Sequence, residues 1–157
     1  MNRSDVTNFI DNLYTLSRFF RSAETKPRYY GTDILLYPNE AYTLRAIAEC
    51  PGTNQTEISQ RMHRTKGATS VVVQKLIRKG LAVCKNESID QRVGCLYATE
   101  KGMEVYQLHR DYDNRYLQMI SREMNMPLEE LELVNKAIVC FMELTVRRQI
   151  EHNDDFT

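Results

Sequence analysis

No segment of this chain approaches the roughly 20 consecutive apolar residues that a bilayer-spanning helix needs. Its opening residues, MNRSDVTNFIDNLY, lack the unbroken apolar core of a secretion signal, so a cytoplasmic protein is expected. Cysteine is sparse. Cys50, Cys84, Cys95 and Cys140 form no C-x-x-C pair and have no neighbouring histidine, which argues against a zinc site or a disulfide framework. They read as reduced thiols buried as small apolar side chains. Cys84 and Cys95, set to face each other across a hairpin, are the pair open to a redox role. Catalytic sets are missing too: there is no Ser/His/Asp arrangement, no glycine-rich phosphate loop and no H-E-x-x-H. His63, His109 and His152 lie far apart and read as surface or helix-face side chains. The expectation is a non-enzymatic protein with no metal and no cofactor.

Net charge is also absent, 21 Lys and Arg balancing 21 Asp and Glu, but the balance is uneven along the chain. From Ile58 to Asn86 stand seven basic residues and no acidic one, whereas Glu123 to Thr157 carries eight acidic against three basic. A local positive patch is all that a nucleic-acid-binding surface requires. The basic stretch has a helix-turn-helix pattern. Asn54 and Glu57 stand at the spacing of a reciprocal N-terminal cap; Ile58 and Met62 face inward, leaving Gln55, Thr56, Ser59 and Arg61 outside. After a turn at His63-Arg64, Thr65 caps a second helix that Gly80 stops. Thr69, Val72, Val73 and Leu76, with Ile77 as a candidate at the edge, form its inner face. Lys66, Gly67, Ser70, Val71, Gln74, Lys75 and Arg78 form the outer one. Val71 either widens the core stripe or meets a thymine methyl in a major groove. Two β-biased runs follow, Leu81 to Lys85 and Val93 to Ala98, joined by a polar turn into a wing.

Flanking this element are helical patterns. Val6, Phe9, Ile10, Leu13, Leu16 and Phe20 make one apolar stripe, with Ser4 placed to cap its helix. Residues 24–38 read as an ordered connector with a short extended piece at Ile34 to Tyr37. Ala41, Leu44, Ile47 and Ala48 line a helix that Pro51-Gly52 ends. A long helix opens at Thr99-Glu100-Lys101-Gly102, with Met103, Tyr106, Leu108 or Leu117, Tyr116 and Ile120 inward. Pro127 starts the last helix, whose stripe runs through Leu128, Leu131, Val134, Ile138, Phe141 and Thr145. The first and last stripes exceed what a small core can cover. The fold class is therefore mainly α with a small β-hairpin wing: a winged helix-turn-helix (38–102) plus a further helical region (1–37 and 103–157).

The motifs TEISQRM, TKGATSVVVQKLIRKGL, the wing triplet Asp90-Gln91-Arg92 and LYATEKG, in this order between flanking helices, resemble the MarR family of bacterial winged-helix transcriptional regulators. That resemblance implies an obligate homodimer whose N-terminal and last two helices intertwine, which makes residues 1–37 and 103–157 the expected helical dimerisation region and 38–102 the expected DNA-binding domain. It also implies a recognition helix, here Thr65 to Lys79, in the major groove of double-stranded DNA, and a wing Arg92, oriented by Asp90, in the minor groove. Ser70, Gln74 and Val71 would then meet base edges. Lys66, Lys75, Arg64, Gln55 and Thr56 would hold phosphate, with Thr65 and Gly67 opening the recognition helix. Family members often bind a small aromatic effector or sense oxidation. Tyr29, Tyr30, Tyr42 and Tyr106 are the candidate cleft residues here, and the first helix lacks the cysteine of the peroxide-sensing branch. The competing reading is a winged-helix module that binds protein and does not read DNA.

Overall fold

The computed structural model describes residues 3–85 and 94–154. Six helices and one hairpin are present among them: α1 (Arg3–Glu24), α2 (Pro38–Glu49), α3 (Gln55–Arg61), α4 (Lys66–Arg78), β1 (Ala82–Lys85), β2 (Cys95–Ala98), α5 (Glu100–Glu123) and α6 (Leu128–Asp154). The chain divides into two compact units, Met1–Tyr112 and Asp113–Thr157.

In the first unit, helix ends are set by local chemistry. Asn54 Oδ1 accepts the N–H groups of Thr56 and Glu57, and Glu57 Oε2 accepts the Asn54 N–H in return. Both halves of the expected capping box are made. Thr65 Oγ1 caps α4 by accepting the Ala68 N–H. Helix α3 stops where the Arg64 N–H reaches the Ser59 carbonyl and the His63 N–H reaches that of Gln60. This paired closure places His63 in the left-handed region, at φ 49°. Helix α4 ends the same way, with Gly80 at φ 71° and the Leu81 N–H on the Leu76 carbonyl. Here Leu76 and Leu81 are both buried, the apolar contact that accompanies this stop.

The core of this unit joins Leu36 with Leu44 and Ile47 of α2, Ile58 of α3, Val73 and Leu76 of α4, Leu81, Leu96 of β2 and Val105 of α5. Strand β2 is its β element: it pairs antiparallel with β1 and, on its other edge, with Thr53. The connector is pinned by a two-way bridge between Arg28 and Leu36, consistent with the expected extended piece.

Thr99 and Gly102 explain why the sequence after the wing reads T-x-K-G. Thr99 Oγ1 accepts the Gly102 N–H, capping α5, and donates to the Gly80 carbonyl at 2.7 Å. A Cβ on residue 102 would lie 1.9 Å from the Leu81 carbonyl oxygen. Only glycine lets the first turn of α5 press on this corner.

Several expectations are overturned. Helix α1 already includes Arg3 and Ser4, so Ser4 lies inside the helix and does not precede it. Ser59 is buried, its hydroxyl satisfied by the Thr56 carbonyl. Ala48 is half-buried, whereas Glu40, Thr43 and Ala46 are buried on the same helix. On α5 the buried set is Gly102, Val105, Tyr106 and His109; Met103, Tyr116 and Leu117 are exposed. His109, far from being a surface group, is 2% exposed. Three of the four cysteines are exposed and Cys95 is half-buried, so they are not core residues. The ladder pairs Cys84 with Leu96 and Lys85 with Cys95. That one-residue offset puts Cys84 and Cys95 on opposite faces of the hairpin.

The second unit holds the end of α5 and α6. Its turn closes through Met126 N–H to Ser121 carbonyl and Asn125 N–H to Arg122 carbonyl, with Asn125 at φ 48°. The Pro127 carbonyl accepts the Glu130 and Leu131 N–H groups as α6 begins. Along α6, Leu128, Val134, Ile138 and Phe141 are exposed, as are Phe9, Ile10, Leu16 and Phe20 along α1 in the first unit.

Two outcomes are expected. Gly102→Ala forces backbone apart at the α5 corner and destabilises by about 1–3 kcal/mol, the range for overpacking, read by denaturant unfolding; an unchanged midpoint would contradict this packing. Hydrogen bonds from the Asn54 backbone and the Thr53 hydroxyl hold the Glu57 carboxyl below its usual 4.5. A depressed folded-state value stabilises at neutral pH, and the contribution is lost as pH falls below about 4.5. The melting temperature of Glu57→Gln should therefore fall less steeply between neutral and acid pH than that of the wild type.

Candidate nucleic-acid interface

Helical spacing sorts the outer face of α4 into two adjacent rows: Lys66, Ser70, Gln74 and Arg78, and Gly67, Val71 and Lys75. Lys66, Gly67, Gln74 and Arg78 are exposed, and Ser70 and Lys75 half-buried. Val71 is 56% exposed, on the face opposite Thr69, Val72, Val73 and Leu76. It therefore does not widen the core stripe. An apolar and two uncharged polar side chains occupy the middle of this face, with cations at its ends and flank.

Arg64 is half-buried in the turn between α3 and α4, its Nη1 donating to Thr43 Oγ1 at 3.5 Å. Gln55 and Thr56 are half-buried in the first turn of α3. Thr65 is exposed and engaged as the α4 cap. Asp90 and Arg92 lie outside the described residues.

The seven basic residues counted along the sequence are not seven available charges. Arg61 donates to Glu49 at 2.7 Å and to Cys50 Sγ at 3.0 Å. Lys79 is paired with the buried Glu40 at 2.7 Å. Lys85 stands 4.9 Å over the Tyr97 ring, and Lys75 lies 5.8 Å from the ring centroid of Tyr37. Lys66 and Arg78 have no carboxylate partner among the described residues. Glu49 remains ionised: partial burial pushes its carboxyl up, but hydrogen bonds and charge from Arg45 and Arg61 outweigh that and hold it low. The net effect is to concentrate unbalanced positive charge on α4. Arg78 belongs to this set by position, although sequence reasoning placed it on the outer face without assigning it a contact.

The candidate effector residues separate. The Tyr30 and Tyr42 rings stand edge-on to His109, at 4.8 and 5.3 Å between centroids, and Tyr30 also packs on Tyr112. Tyr106 is buried, with its hydroxyl 3.4 Å from Glu49 Oε1. Tyr29 is exposed. His109, on which two of these rings converge, stands three and four residues after buried Tyr106 and Val105, and sequence reasoning missed it by weighing it only as a metal ligand or catalytic base. No group of His, Cys, Asp or Glu suited to a metal ion occurs among the described residues.

Residues 36–87 match the sequence model of the MarR family. No curated protein sequence matches the chain. A solved MarR protein from Peptoclostridium difficile is 29% identical over 87% of this chain and 86% of its own, with a TM-score of 0.71. Streptococcus pneumoniae FabT, solved in complex with DNA, is 19% identical over 91% of this chain and 96% of its own, with a TM-score of 0.64. Staphylococcus aureus MarR, solved with salicylate and kanamycin, is 23% identical over 71% of this chain and 75% of its own, with a TM-score of 0.63. Residues 36–87 are thus similar to the MarR family's sequence, and the chain shares the winged-helix fold of the solved MarR and FabT proteins.

Proposed function

We propose that the protein is a homodimeric, sequence-specific DNA-binding transcriptional regulator, most simply a repressor. Helix α4 enters the major groove of a pseudo-palindromic operator, and the wing, through Arg92 oriented by Asp90, enters the minor groove. The observation that carries this reading is the outer face of α4, where exposed Val71 and Gln74 and half-buried Ser70 are bordered by Lys66, Lys75 and Arg78. Cations at the border suit phosphate, and the uncharged centre suits base edges: glutamine pairs with adenine, and valine meets the thymine methyl. Gln55, Thr56 and Arg64 add backbone contacts from α3 and the turn, while Thr65 and Gly67 present the first N–H groups of α4 to phosphate.

The FabT relative was solved on DNA, which supports this mode for the shared fold. Support for the dimer comes from the apolar residues exposed along α1 and α6, since residues 1–37 and 103–157 would supply its helical interface. Release of DNA by a small aromatic ligand is part of the proposal. Tyr30 and Tyr42 around His109 are the residues it would address first, with Tyr29 and Tyr106 nearby in sequence to them and to His109. The S. aureus MarR relative was solved with salicylate.

Selection of bound fragments from genomic DNA, followed by salt titration on random duplex, tests the reading. Lys66→Ala should reduce the slope of log K against log salt by about 0.9 per protomer, or about 1.8 for the dimer, one phosphate contact being lost from each chain. Gln74→Ala should relax discrimination at one base pair by roughly 1–3 kcal/mol. Duplex binding that is absent or indifferent to salt would instead favour a protein-interaction module. Ile138→Glu, which sets a charge in the α6 stripe, should shift sedimentation from dimer to monomer and weaken operator binding. A variant that stays dimeric would remove α6 from the interface.

A further inference from the structure

Lys79 caps the C-terminal end of α4 and lies within the basic cluster, yet its bonds point into the protein. Its Nζ donates to Glu40 Oε2 at 2.7 Å and to the Leu35 carbonyl at 2.8 Å. The same Glu40 oxygen accepts the Tyr37 N–H at 2.9 Å, so it also closes the first turn of α2. Glu40 is buried. One turn back along α4, the Lys75 ammonium lies 5.8 Å from the Tyr37 ring centroid. The segment from Leu35 to Glu40 therefore grips the last turn of α4 by a carbonyl, a buried carboxylate and a ring.

We propose that Glu40 and Lys79 are positioning residues for DNA reading, a latch that fixes where α4 sits and makes no contact with DNA. The proposal rests on the functional reading above and adds to it a division of labour among the basic residues. An ammonium has three donors, and two are already committed to internal acceptors. Pulling Lys79 out to a phosphate would strand a buried carboxylate, which is strongly unfavourable. Lys66 and Arg78, exposed and without carboxylate partners among the described residues, have no such commitment. Placement matters unequally for the two kinds of DNA contact. Base-edge hydrogen bonds from short side chains such as Ser70 and Gln74 need their helix held to about 0.5 Å, whereas long lysines adapt to a phosphate from a range of helix positions. Loosening the latch therefore costs selectivity before it costs non-specific affinity.

The test uses the full chain and two probes of equal length: duplexes recovered from a random library by the wild-type protein, and the unselected library itself. Lys79→Met should lower the ratio of selected to unselected affinity by roughly tenfold, the loss of one well-placed base contact. Its salt slope on unselected duplex should match the wild type. Lys79→Arg, which keeps the charge and enough donors for both acceptors, should restore the ratio. The double variant Glu40→Gln/Lys79→Met should lose no more than Lys79→Met alone. It leaves no lone buried charge and takes over both measurements if Lys79→Met fails to fold. A slope reduced by about 0.9 per protomer in Lys79→Met, about 1.8 for the dimer, would make Lys79 a phosphate contact and overturn the latch. So would an unchanged selectivity ratio, although DNA binding by the wild type would still support the functional reading. A wild type that shows no salt-dependent duplex binding would overturn that reading and the latch with it.

Discussion

Three elements meet at the Leu81 carbonyl: the stop of α4, the start of β1 and the first turn of α5. The Thr99 hydroxyl ties the Gly80 carbonyl to the cap of α5, the Thr99 N–H donates to the Leu81 carbonyl, and Gly102 offers no side chain where that oxygen sits. Leu81 is itself buried beside Leu76. Since the wing begins at Ala82 and α4 ends at Arg78, this corner sets the direction in which the hairpin leaves the end of α4. It gives the exposed face of α4 a rigid base at its C-terminal end.

Much of this unit could be read from the sequence because its determinants are local. Asn54 with Glu57, Thr65 before Lys66 and Gly80 after Lys79 act within four residues of the backbone groups they satisfy, and each is found as expected. What could not be read depends on tertiary packing. Ser59 looks polar in sequence but satisfies its hydroxyl on its own helix, so burying it costs little. His109 becomes interior because Tyr30 and Tyr42, from a connector and another helix, close over it. The hairpin register differs by one residue from the pairing that would join Cys84 and Cys95. Composition cannot resolve such a shift when the intervening turn has no defining dipeptide.

The candidate interface shows the same division. Counting basic residues between Ile58 and Asn86 overstated the segment's usable charge, because Glu49 and Glu40 engage Arg61 and Lys79 from 12 and 39 residues away. Helical periodicity placed the α4 face correctly yet left Val71 undecided, since a valine at the edge of an apolar stripe fits either side. Its exposure, and the burial of Val72 and Val73 beside it, resolves the ambiguity.

The exposed stripes of α1 and α6 impose a last constraint. Fully burying a Leu, Ile or Phe side chain contributes about 1.5–3 kcal/mol, and Phe9, Ile10, Leu16 and Phe20 on α1, with Leu128, Val134, Ile138 and Phe141 on α6, remain substantially exposed in one chain. Association costs roughly 4–15 kcal/mol in lost translational and rotational freedom, so burying only part of these two rows against a second copy would offset it. In the proposed dimer this energy comes from helices other than α4. The outer face of α4 is then free to carry few cations and an uncharged centre, because a dimer sets two recognition helices on one duplex and their phosphate contacts add. Affinity would come from assembly and from the border cations, leaving Ser70, Val71 and Gln74 to discriminate between sequences.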